Sequence, residues 1–568
     1  MDYLLSLLIF VPLLVAAIIL AVPARYPKII KSLTLGAALA EFGLSLFAWY
    51  SFKPTETAYQ FVEKAEWFGL QLSKFGYFQV QYFLGVDGLS IAMVLLTGIV
   101  GVIGVLSSWN LESKNPKGYF ALYLLLLASV MGCFLALDMF LFYLFFEFML
   151  LPMYFLIGIW GGPRREYAAI KFFIYTLIGS LLILIVMIGL YTSVVDPVAT
   201  AARAGLSANP NATQFLLQTG KIASENLVHT FSIPAMTEDA NFIPGSMLHL
   251  LSGKEIWGYS ARLLAFLVMF AGFAIKIPVV PVHTWLPDAH VEAPTPISVM
   301  LAAVLLKVGA YGLLRIAFPV FPEAAVYFSQ FIAGLGVLSI LYGAFCALAM
   351  SDLKKLIAYS SVSHMGFVLL GLASFTTEGV NGAIYQLFSH GLISAMLFLI
   401  VGVLYDRYHN RQISSFRGLA STMPAYTFLV VVAFFASLGL PGLSGFIAEL
   451  LVLLGAFTSA SANGLLSRWL AILAAFGILL GAAYYLWALQ RMFFGKFWIQ
   501  PDLTNGSNAK DLTAREYVML VPLALLIFAF GIFPHLLLDK VSPAAARFVN
   551  AMLLEGKSNL PEMLNLLP

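Results

Sequence analysis

The amino-acid sequence predicts an all-α integral membrane protein with about fourteen transmembrane helices. Of its 568 residues, 61% are hydrophobic and only 10% are charged, and the mean hydropathy is +0.92. Soluble domains are roughly 45–50% apolar and 25% charged, so a soluble fold of this length could not bury so much apolar surface. Apolar runs of about 20 residues, which is long enough to cross a bilayer, recur along the whole chain.

The predicted spans follow from these runs, and charged residues, prolines and the length of a bilayer crossing set their ends. The boundary between the fourth and fifth spans is placed at Asp138, which interrupts a long apolar stretch. In chain order the spans cover residues 3–22, 30–51, 83–108, 118–137, 138–160, 166–193, 261–286, 295–317, 325–350, 354–376, 379–404, 422–456, 468–495 and 514–538.

Three segments lie outside these spans. Residues 52–82 mix charged side chains with aromatic ones, and residues 194–260 contain four prolines, so both are expected to be solvated loops, the second with short surface helices. The tail 541–568 has apolar residues at helical spacing and is expected to lie on the bundle or at the membrane interface.

The distribution of basic residues predicts the orientation. Fourteen spans place both termini on one side of the membrane, and the short loops of the opposite side then carry most of the lysine and arginine. The termini are therefore expected on the periplasmic side of a bacterial plasma membrane. The cytoplasmic loops would hold Arg25, Lys28, Lys31, Lys114, Lys117, Arg164, Arg165, Lys354, Lys355, Arg407, Arg411, Arg417, Arg491, Lys496, Lys510 and Arg515.

Four ionisable residues lie deep within apolar spans, namely Glu147, Lys276, Lys307 and Glu449. A charge at the bilayer centre costs at least about 2.5–3.5 kcal/mol on insertion scales, so these side chains are expected to face the interior of the bundle. They could be structural ion pairs, but buried pairs stabilise weakly after desolvation. Burial also favours the uncharged form of both lysine and glutamate, which suits a row that takes up and releases protons.

Helix-breaking residues and histidines accompany this row. Prolines follow Lys276 directly, and the sequence LPGLSG precedes Glu449, which predicts two broken helices beside a polar cavity. His364 and His390 lie on successive spans between Lys307 and Glu449, in serine-containing patches, and are interpreted as proton relays rather than as packing residues.

Other classes of function find little support in the sequence. A net charge of +3 argues against a nucleic-acid partner, and two isolated cysteines, Cys133 and Cys346, cannot hold an iron–sulfur cluster. There is no phosphate-binding loop and no metal-ligand spacing. The segment PVHTWLPDAHVEAPTP is interpreted as a polar loop that closes the first broken helix at the inner face, and not as a metal site.

Several long strings resemble the antiporter-like membrane subunits of complex I, the NADH:quinone oxidoreductase. They are KIPVVPVHTWLPDAHVEAPTPISVMLAAVLLKVGAYG, YSSVSHMG, FSHG and LPGLSGFIAEL, and they occur in the order that this family has. Glu449 stands where many related antiporter subunits carry lysine, which resembles the subunit M type, with its counterparts in mitochondria (subunit 4) and in plastids.

The resemblance implies two inverted five-helix repeats at 118–317 and 318–500, between three N-terminal helices at 1–117 and a last helix with its tail at 501–568. It implies that Glu147 and Lys276 form a coupling ion pair and that Lys307 is the central proton carrier. His364, His390 and Glu449 would then form the exit path for the proton. NADH, FMN, iron–sulfur clusters and quinone would be bound by partner subunits, with sister antiporter-like subunits on both sides. An Mrp-type cation/proton antiporter subunit and a purely structural membrane spacer are the alternatives.

Overall fold

The fold was analysed in a computed structural model, which describes residues 3–72, 76–110, 115–206, 210–503 and 510–564. The described chain is mostly helical, and twelve of its helices are long and apolar enough to cross a membrane. Two shorter apolar helices, Ile91–Ser107 and Pro424–Ser437, accompany them. The all-α membrane architecture is thus confirmed, whereas the exact number of fourteen crossings stays a prediction.

The N-terminal half contains twelve α-helices and five strands among its described residues. The helices are α1 (Leu4–Ala21), α2 (Pro27–Ser51), α3 (Ile91–Ser107), α4 (Pro116–Leu135), α5 (Met139–Phe148), α6 (Leu150–Trp160), α7 (Arg165–Ser193), α8 (Pro197–Arg203), α9 (Pro210–Gln218), α10 (Ile233–Met236), α11 (Ala261–Lys276) and α12 (Trp285–Glu292). The strands are β1 (Gln60–Gln71), β2 (Tyr77–Val86), β3 (Val228–Thr230), β4 (Glu255–Ile256) and β5 (Tyr259–Ser260).

The C-terminal half contains twelve more α-helices in its described part. They are α13 (Thr295–Met300), α14 (Leu306–Gly312), α15 (Phe318–Val320), α16 (Pro322–Tyr327), α17 (Ser329–Leu348), α18 (Leu353–Ala373), α19 (Thr377–Tyr408), α20 (Pro424–Ser437), α21 (Ser444–Ala462), α22 (Arg468–Phe493), α23 (Ala514–Ile532) and α24 (His535–Leu564). Two π-helical turns, Leu301–Leu305 and Leu313–Ala317, join α13, α14 and α15 into one continuous span. Strands β6 (Phe416–Arg417) and β7 (Trp498–Ile499) form a small antiparallel pair.

The two ends of the bundle differ in what covers them. At one end, which we call the sheet face, β1 and β2 pair antiparallel, β3 adds in parallel to β2, and α24 packs on α16. The opposite end, which we call the cationic face, holds the loops around Arg164, Lys354 and Arg411. There Arg164 N–H donates to the Glu292 carboxylate, and Arg411 pairs with Asp352 at 3.2 Å. For the described residues 541–564, the expected docking of the C-terminal tail on the bundle is confirmed.

Asp138 separates the fourth and fifth spans as the sequence predicts. Helix α4 ends at Leu135, and the Asp138 carboxylate accepts a hydrogen bond from Leu141 N–H at 3.0 Å, which caps the first turn of α5. The other carboxylate oxygen accepts from Gln81 N–H of β2. One aspartate therefore ends a span, starts the next and anchors the sheet.

The region between α2 and α3 corrects two of the sequence predictions. Residues 52–82 were expected to be a loop and residue 83 to open a helix, but β1 and β2 form a hairpin and α3 begins only at Ile91. The run YFQVQYFLGV alternates aromatic and branched residues with glutamine, which favours a strand outside the membrane. The buried Glu63 of β1 accepts hydrogen bonds from Leu5 and Ser6 N–H and so caps α1.

The segment after Lys276 corrects a third prediction. The sequence predicted a polar loop at the inner face, but Trp285–Glu292 forms the buried helix α12. The indole N–H of Trp285 donates to the Ile275 carbonyl at 2.9 Å, and Ser339 Oγ accepts from Val280 N–H. The two side chains form hydrogen bonds with backbone groups that lose their helical partners where α11 ends. The chain can therefore stay in the bundle interior after α11.

Candidate functional site

The centre of the bundle holds a row of ionisable side chains, and Lys307 is its most enclosed member. Lys307 lies on α14, directly after the π-helical turn Leu301–Leu305, and no part of it is exposed to solvent. Its Nζ donates to the Ala302 carbonyl at 2.5 Å and lies 2.7 Å from Nδ1 of His390. A π-turn widens the helix and often marks a functional site; here a carbonyl oxygen of that turn accepts from the ammonium group.

Two histidines continue the row away from Lys307. The rings of His390 on α19 and His364 on α18 have centroids 5.3 Å apart, and both residues are buried. Nδ1 of His364 lies 3.3 Å from Oε1 of Glu449, and the Gln386 amide donates to the same nitrogen at 3.2 Å. Lys307, His390, His364 and Glu449 therefore form a series of neighbouring titratable side chains.

A chain of hydroxyl groups sets the tautomer of His364. Ser437 Oγ donates to the Tyr485 hydroxyl at 2.8 Å, and Tyr485 donates to Ser360 Oγ at 2.9 Å. Ser437 Oγ, 3.1 Å from Nε2 of His364, is left to accept the ring N–H. In neutral His364, Nδ1 then carries no proton and faces Glu449 as an acceptor. The sequence analysis missed Ser437 and Tyr485, because they lie on α20 and α22 without any motif.

Glu449 lies just after the break between α20 and α21. The connecting residues 438–443 include Gly439 and Gly442, whose φ angles of +76° and +92° are in the left-handed region that favours glycine. A Cβ atom on Gly439 would lie 2.6 Å from Oε2 of Glu449. The broken helix therefore makes the space in which this carboxylate sits, as the LPGLSG sequence predicted.

Lys276 is the last residue of α11, and α11 packs against α14, the helix that carries Lys307. A Cβ atom on Gly309 would lie 3.0 Å from Cβ of Lys276 and 2.9 Å from Cγ1 of Ile277, so glycine permits this close approach. The Lys276 ammonium lies 4.8 Å from the centre of the Phe146 ring. In the described part of the chain, no hydrogen-bond partner reaches Lys276 Nζ.

Glu147 follows Phe146 on α5, and its position differs from the expected ion pair. No contact of 4 Å or less joins it to Lys276 among the described ion pairs, and Oε1 of Glu147 has no hydrogen-bond partner there. Lys276 therefore contacts the Phe146 ring, and no direct ion pair with Glu147 is present among the described contacts.

A cavity lies at the cationic face, beside the ends of α18 and α19, the helices that carry His364 and His390. It has a volume of about 930 Å³ and is lined by Glu292, Lys354 and Thr295, among other residues. The buried His290 stacks on the Phe398 ring at 4.4 Å, and neither of its ring nitrogens has a partner among the described residues. His290 lies on α12, two residues before Glu292, which lines this cavity. The sequence analysis placed His290 in an inner loop and so did not include it in the row.

The chain belongs to the NADH:quinone oxidoreductase/Mrp antiporter transmembrane family, whose profile matches residues 136–477. A second profile, the amino terminus of NADH-ubiquinone oxidoreductase chain 4, matches residues 35–137. The chain is 40% identical to NADH-quinone oxidoreductase subunit M of Rhodobacter capsulatus over 97% of both chains. It is 37% identical to NADH-ubiquinone oxidoreductase chain 4 of Chondrus crispus, over 93% of this chain and 94% of the relative.

Solved structures agree with this assignment. A chain in respiratory complex I from Thermus thermophilus superposes with a TM-score of 0.75 at 30% identity, covering 96% of this chain and 99% of that one. A chain of the Mrp complex from Dietzia sp. DQ12-45-1b superposes with a TM-score of 0.76 at 20% identity, covering 98% and 99%, and shows the same fold. The chain is a multi-pass membrane protein with the antiporter-like fold, and the resemblance seen in its sequence is confirmed.

Proposed function

We propose that this chain carries protons across the membrane as a subunit of NADH:quinone oxidoreductase, along the row Glu147, Lys276, Lys307, His390, His364 and Glu449. The observation that carries the proposal is the 2.7 Å contact between Lys307 and His390 inside a fully enclosed span. An apolar residue would stabilise this buried position better than a lysine does. The lysine is therefore expected to serve the function of the protein and not its stability.

The contacts along the row support an order of proton transfers. Lys307 as a cation donates to His390 Nδ1, and transfer along this bond leaves a neutral amine. His390 then passes a proton toward His364, whose Nδ1 faces Glu449 at 3.3 Å. Protonated His364 can give that proton to the Glu449 carboxylate while its Nε2–H stays bonded to Ser437. The groups lie close enough to titrate as one coupled set.

The Glu147–Lys276 pair supplies the control. When Glu147 contacts Lys276, the carboxylate stabilises the lysine as a cation next to α14, and repulsion between like charges then favours loss of the Lys307 proton. When the pair is open, Lys307 holds its proton more easily. A signal that moves α5 relative to α11 would therefore switch Lys307 between loading and release.

Lys307 regains its proton from the cationic face. The cavity beside Glu292 and Lys354 offers room for water, and His290 lies on α12 beyond it with both ring nitrogens unpartnered among the described residues. Lys354 Nζ donates to the Ala293 carbonyl at 2.6 Å, at the end of this same segment. A proton entering here meets His290 before Lys307.

The setting of the subunit follows from the same proposal. The cationic face is the cytoplasmic side of a bacterial plasma membrane, and both termini lie on the periplasmic side, as the basic loops predict. Residues 118–317 and 318–500 are the two inverted repeats. NADH, FMN, iron–sulfur clusters and quinone are bound by partner subunits, and sister antiporter-like subunits lie on both sides. Glutamate at 449 favours this assignment over an Mrp-type antiporter subunit, since many related antiporter subunits carry lysine there.

The proposal is tested with Lys307→Met in the assembled complex, reconstituted in liposomes. Quinone reduction and proton uptake are measured together, and we expect proton pumping to fall on the order of 100-fold, the usual contribution of a positioned acid–base group. Lys355→Met, at a half-buried lysine of the cationic face, is the matched control and should pump normally. Normal pumping and normal quinone reduction in Lys307→Met would refute the proposed path.

A further inference from the structure

A second ionisable group lies deep in the bundle, far from the row. Glu41 is in the middle of α2, ten residues or about 15 Å beyond Lys31 along the helix. It is completely buried, and no hydrogen-bond donor in the described part of the chain reaches either of its carboxyl oxygens. The row does not include this residue, and the proposed function does not require it.

The helices around Glu41 offer no counter-ion. α2 packs on α1, α3 and α4, and the sequences of α1 and α3 contain no ionisable side chain at all. On α4 the ionisable groups are Lys117 at its first turn, Tyr119, Tyr123 and the thiol of Cys133. Lys31 of α2 itself donates to the Trp109 carbonyl at 2.7 Å, at the cationic end of the bundle.

An ionised carboxylate in such surroundings would be very costly. Transfer of an unpaired charge to an apolar medium is so unfavourable that the group takes up a proton instead. The helices beside Glu41 are closely packed. A Cβ atom on Gly98 of α3 would lie 3.1 Å from Cα of Phe42 on α2 and would collide with the Ser45 side chain. α2 and α3 are thus in tight contact at the level of Glu41.

Hydroxyl groups lead from this level toward the cationic face. The Tyr123 hydroxyl donates to the Gly101 carbonyl at 2.8 Å, and Ser108 Oγ lies 2.9 Å from the Tyr119 hydroxyl one turn further on. Side chains on a helix point toward its N-terminus, which for α2 is the cationic end. The Glu41 carboxyl is therefore directed toward the side from which a proton can reach it.

We propose that Glu41 is a separate proton-binding site, held as the neutral carboxylic acid between α2, α3 and α4. Its ligand is a proton rather than a metal cation, because α1, α3 and α4 carry no second carboxylate, and the one lysine on them, Lys117, lies at the first turn of α4. The site exchanges with the cationic face by way of Tyr123, Ser108 and Tyr119.

The proposal is tested in the intact complex with dicyclohexylcarbodiimide, an apolar reagent for protonated carboxyl groups. The carboxyl proton passes to a carbodiimide nitrogen, the carboxylate oxygen adds to the central carbon, and rearrangement gives a stable N-acylurea that retains every atom of both reactants. Mass spectrometry of the peptide containing Glu41 should show this adduct at neutral pH, and Glu41→Gln should lose it. Glu63 is the internal control, because its buried carboxylate accepts backbone N–H groups and should stay unlabelled.

Two further results decide between the outcomes. Excess sodium should leave the labelling of Glu41 unchanged, and suppression by sodium would overturn the proposal in favour of a cation site. Infrared spectra of the wild-type and Glu41→Gln complexes should differ by the carbonyl band of a protonated carboxyl group, which shifts in D2O. A difference spectrum with carboxylate bands alone would overturn the proposal whether or not the reagent enters. Glu41→Gln should pump normally, which distinguishes this site from the row.

Discussion

Nζ of Lys307 and Nδ1 of His390 lie 2.7 Å apart, on two helices that are 83 residues apart in sequence. Neither side chain has contact with bulk water, since Lys307 is fully buried and His390 is 4% exposed. A bond of this length between two titratable groups is the shortest step of the proposed path, so the path should be most sensitive there.

His390→Gln keeps a polar side chain of similar size but removes the group that can hold a proton. We expect proton pumping to fall on the order of 100-fold, because glutamine can bond to Lys307 but cannot relay its proton. The measurement is proton uptake by liposomes that contain the complex, relative to quinone reduction. His535→Gln, at an exposed histidine at the start of α24, should change nothing. Equal pumping in the two variants would exclude His390 from the path.

The hydroxyl chain beside His364 gives a second prediction. Tyr485→Phe removes the group that accepts from Ser437, so Ser437 is free to donate to His364 and the tautomer is no longer fixed. Loss of one neutral hydrogen bond costs about 0.5–1.5 kcal/mol, and we expect pumping to fall roughly 2- to 10-fold.

Tyr484→Phe is the matched control for this prediction. Tyr484 is equally buried and its ring lies 4.6 Å from that of Tyr485, but it is not part of the hydroxyl chain. Pumping should be unchanged in Tyr484→Phe. A loss of the same size in both variants would point to packing, and not to the orientation of His364.

The spans and the row could be predicted from the sequence, because both follow from one rule. A helix in lipid needs about 20 apolar residues, and an ionisable residue inside such a run is costly. Lys307, His364, His390 and Glu449 were therefore visible as exceptions within apolar runs, and Asp138 as an interruption between two of them. The structure brings the first four side chains together, whereas their role in proton transfer stays a prediction.

Other features could not be predicted because they depend on contacts between distant segments. The β1–β2 hairpin depends on pairing between two segments, and the mixture of charged and aromatic residues at 52–82 also suits a solvated loop. Tyr485 and Ser437 look like ordinary residues of apolar helices, and only packing brings them to His364. The buried position of His290 depends on Trp285, whose hydrogen bond to Ile275 keeps α12 inside the bundle.

The close contact between α11 and α14 gives a third prediction. In Gly309→Ala the new Cβ would lie 2.9 Å from Ile277 and 3.0 Å from both Lys276 and the Phe273 carbonyl oxygen, so α11 must move away. Overpacking of this kind costs about 1–3 kcal/mol. We expect a lower temperature of subunit loss from the solubilised complex, and less pumping for each quinone reduced.

Gly334→Ala is the control for the effect of alanine itself. Gly334 lies inside α17, and no heavy atom outside its own helix lies within 4 Å of the position of a new Cβ. Replacing a helical glycine by alanine there should stabilise the subunit by roughly 0.5–1 kcal/mol. If Gly309→Ala behaved like Gly334→Ala, the distance between Lys276 and α14 would not matter for pumping.

Asp138, between α4 and α5 at the sheet face, gives a prediction about pH. Burial raises the pKa of the Asp138 carboxyl to about 7, against the lowering effect of the hydrogen bonds that it accepts. The folded chain then keeps a proton that the unfolded chain releases near pH 4, so the folded state binds more protons between about pH 4 and pH 7. The contribution of Asp138 to the free energy of unfolding therefore falls as the pH rises through that window, by at most about 1.4 kcal/mol per pH unit.

Asp138→Asn removes the titration but keeps an oxygen that can cap α5. Relative to the wild type, this variant should gain thermal stability steadily between about pH 5.5 and pH 7 and no further above it. Asp138→Ala, which loses the cap as well, should show the same trend displaced downward by about 1 kcal/mol at every pH. The measurement is the temperature at which the solubilised complex loses this subunit, across that pH range. Parallel curves for wild type and Asp138→Asn would mean that Asp138 is already ionised in the folded chain, and that the hydrogen bonds from Leu141 and Gln81 outweigh its burial.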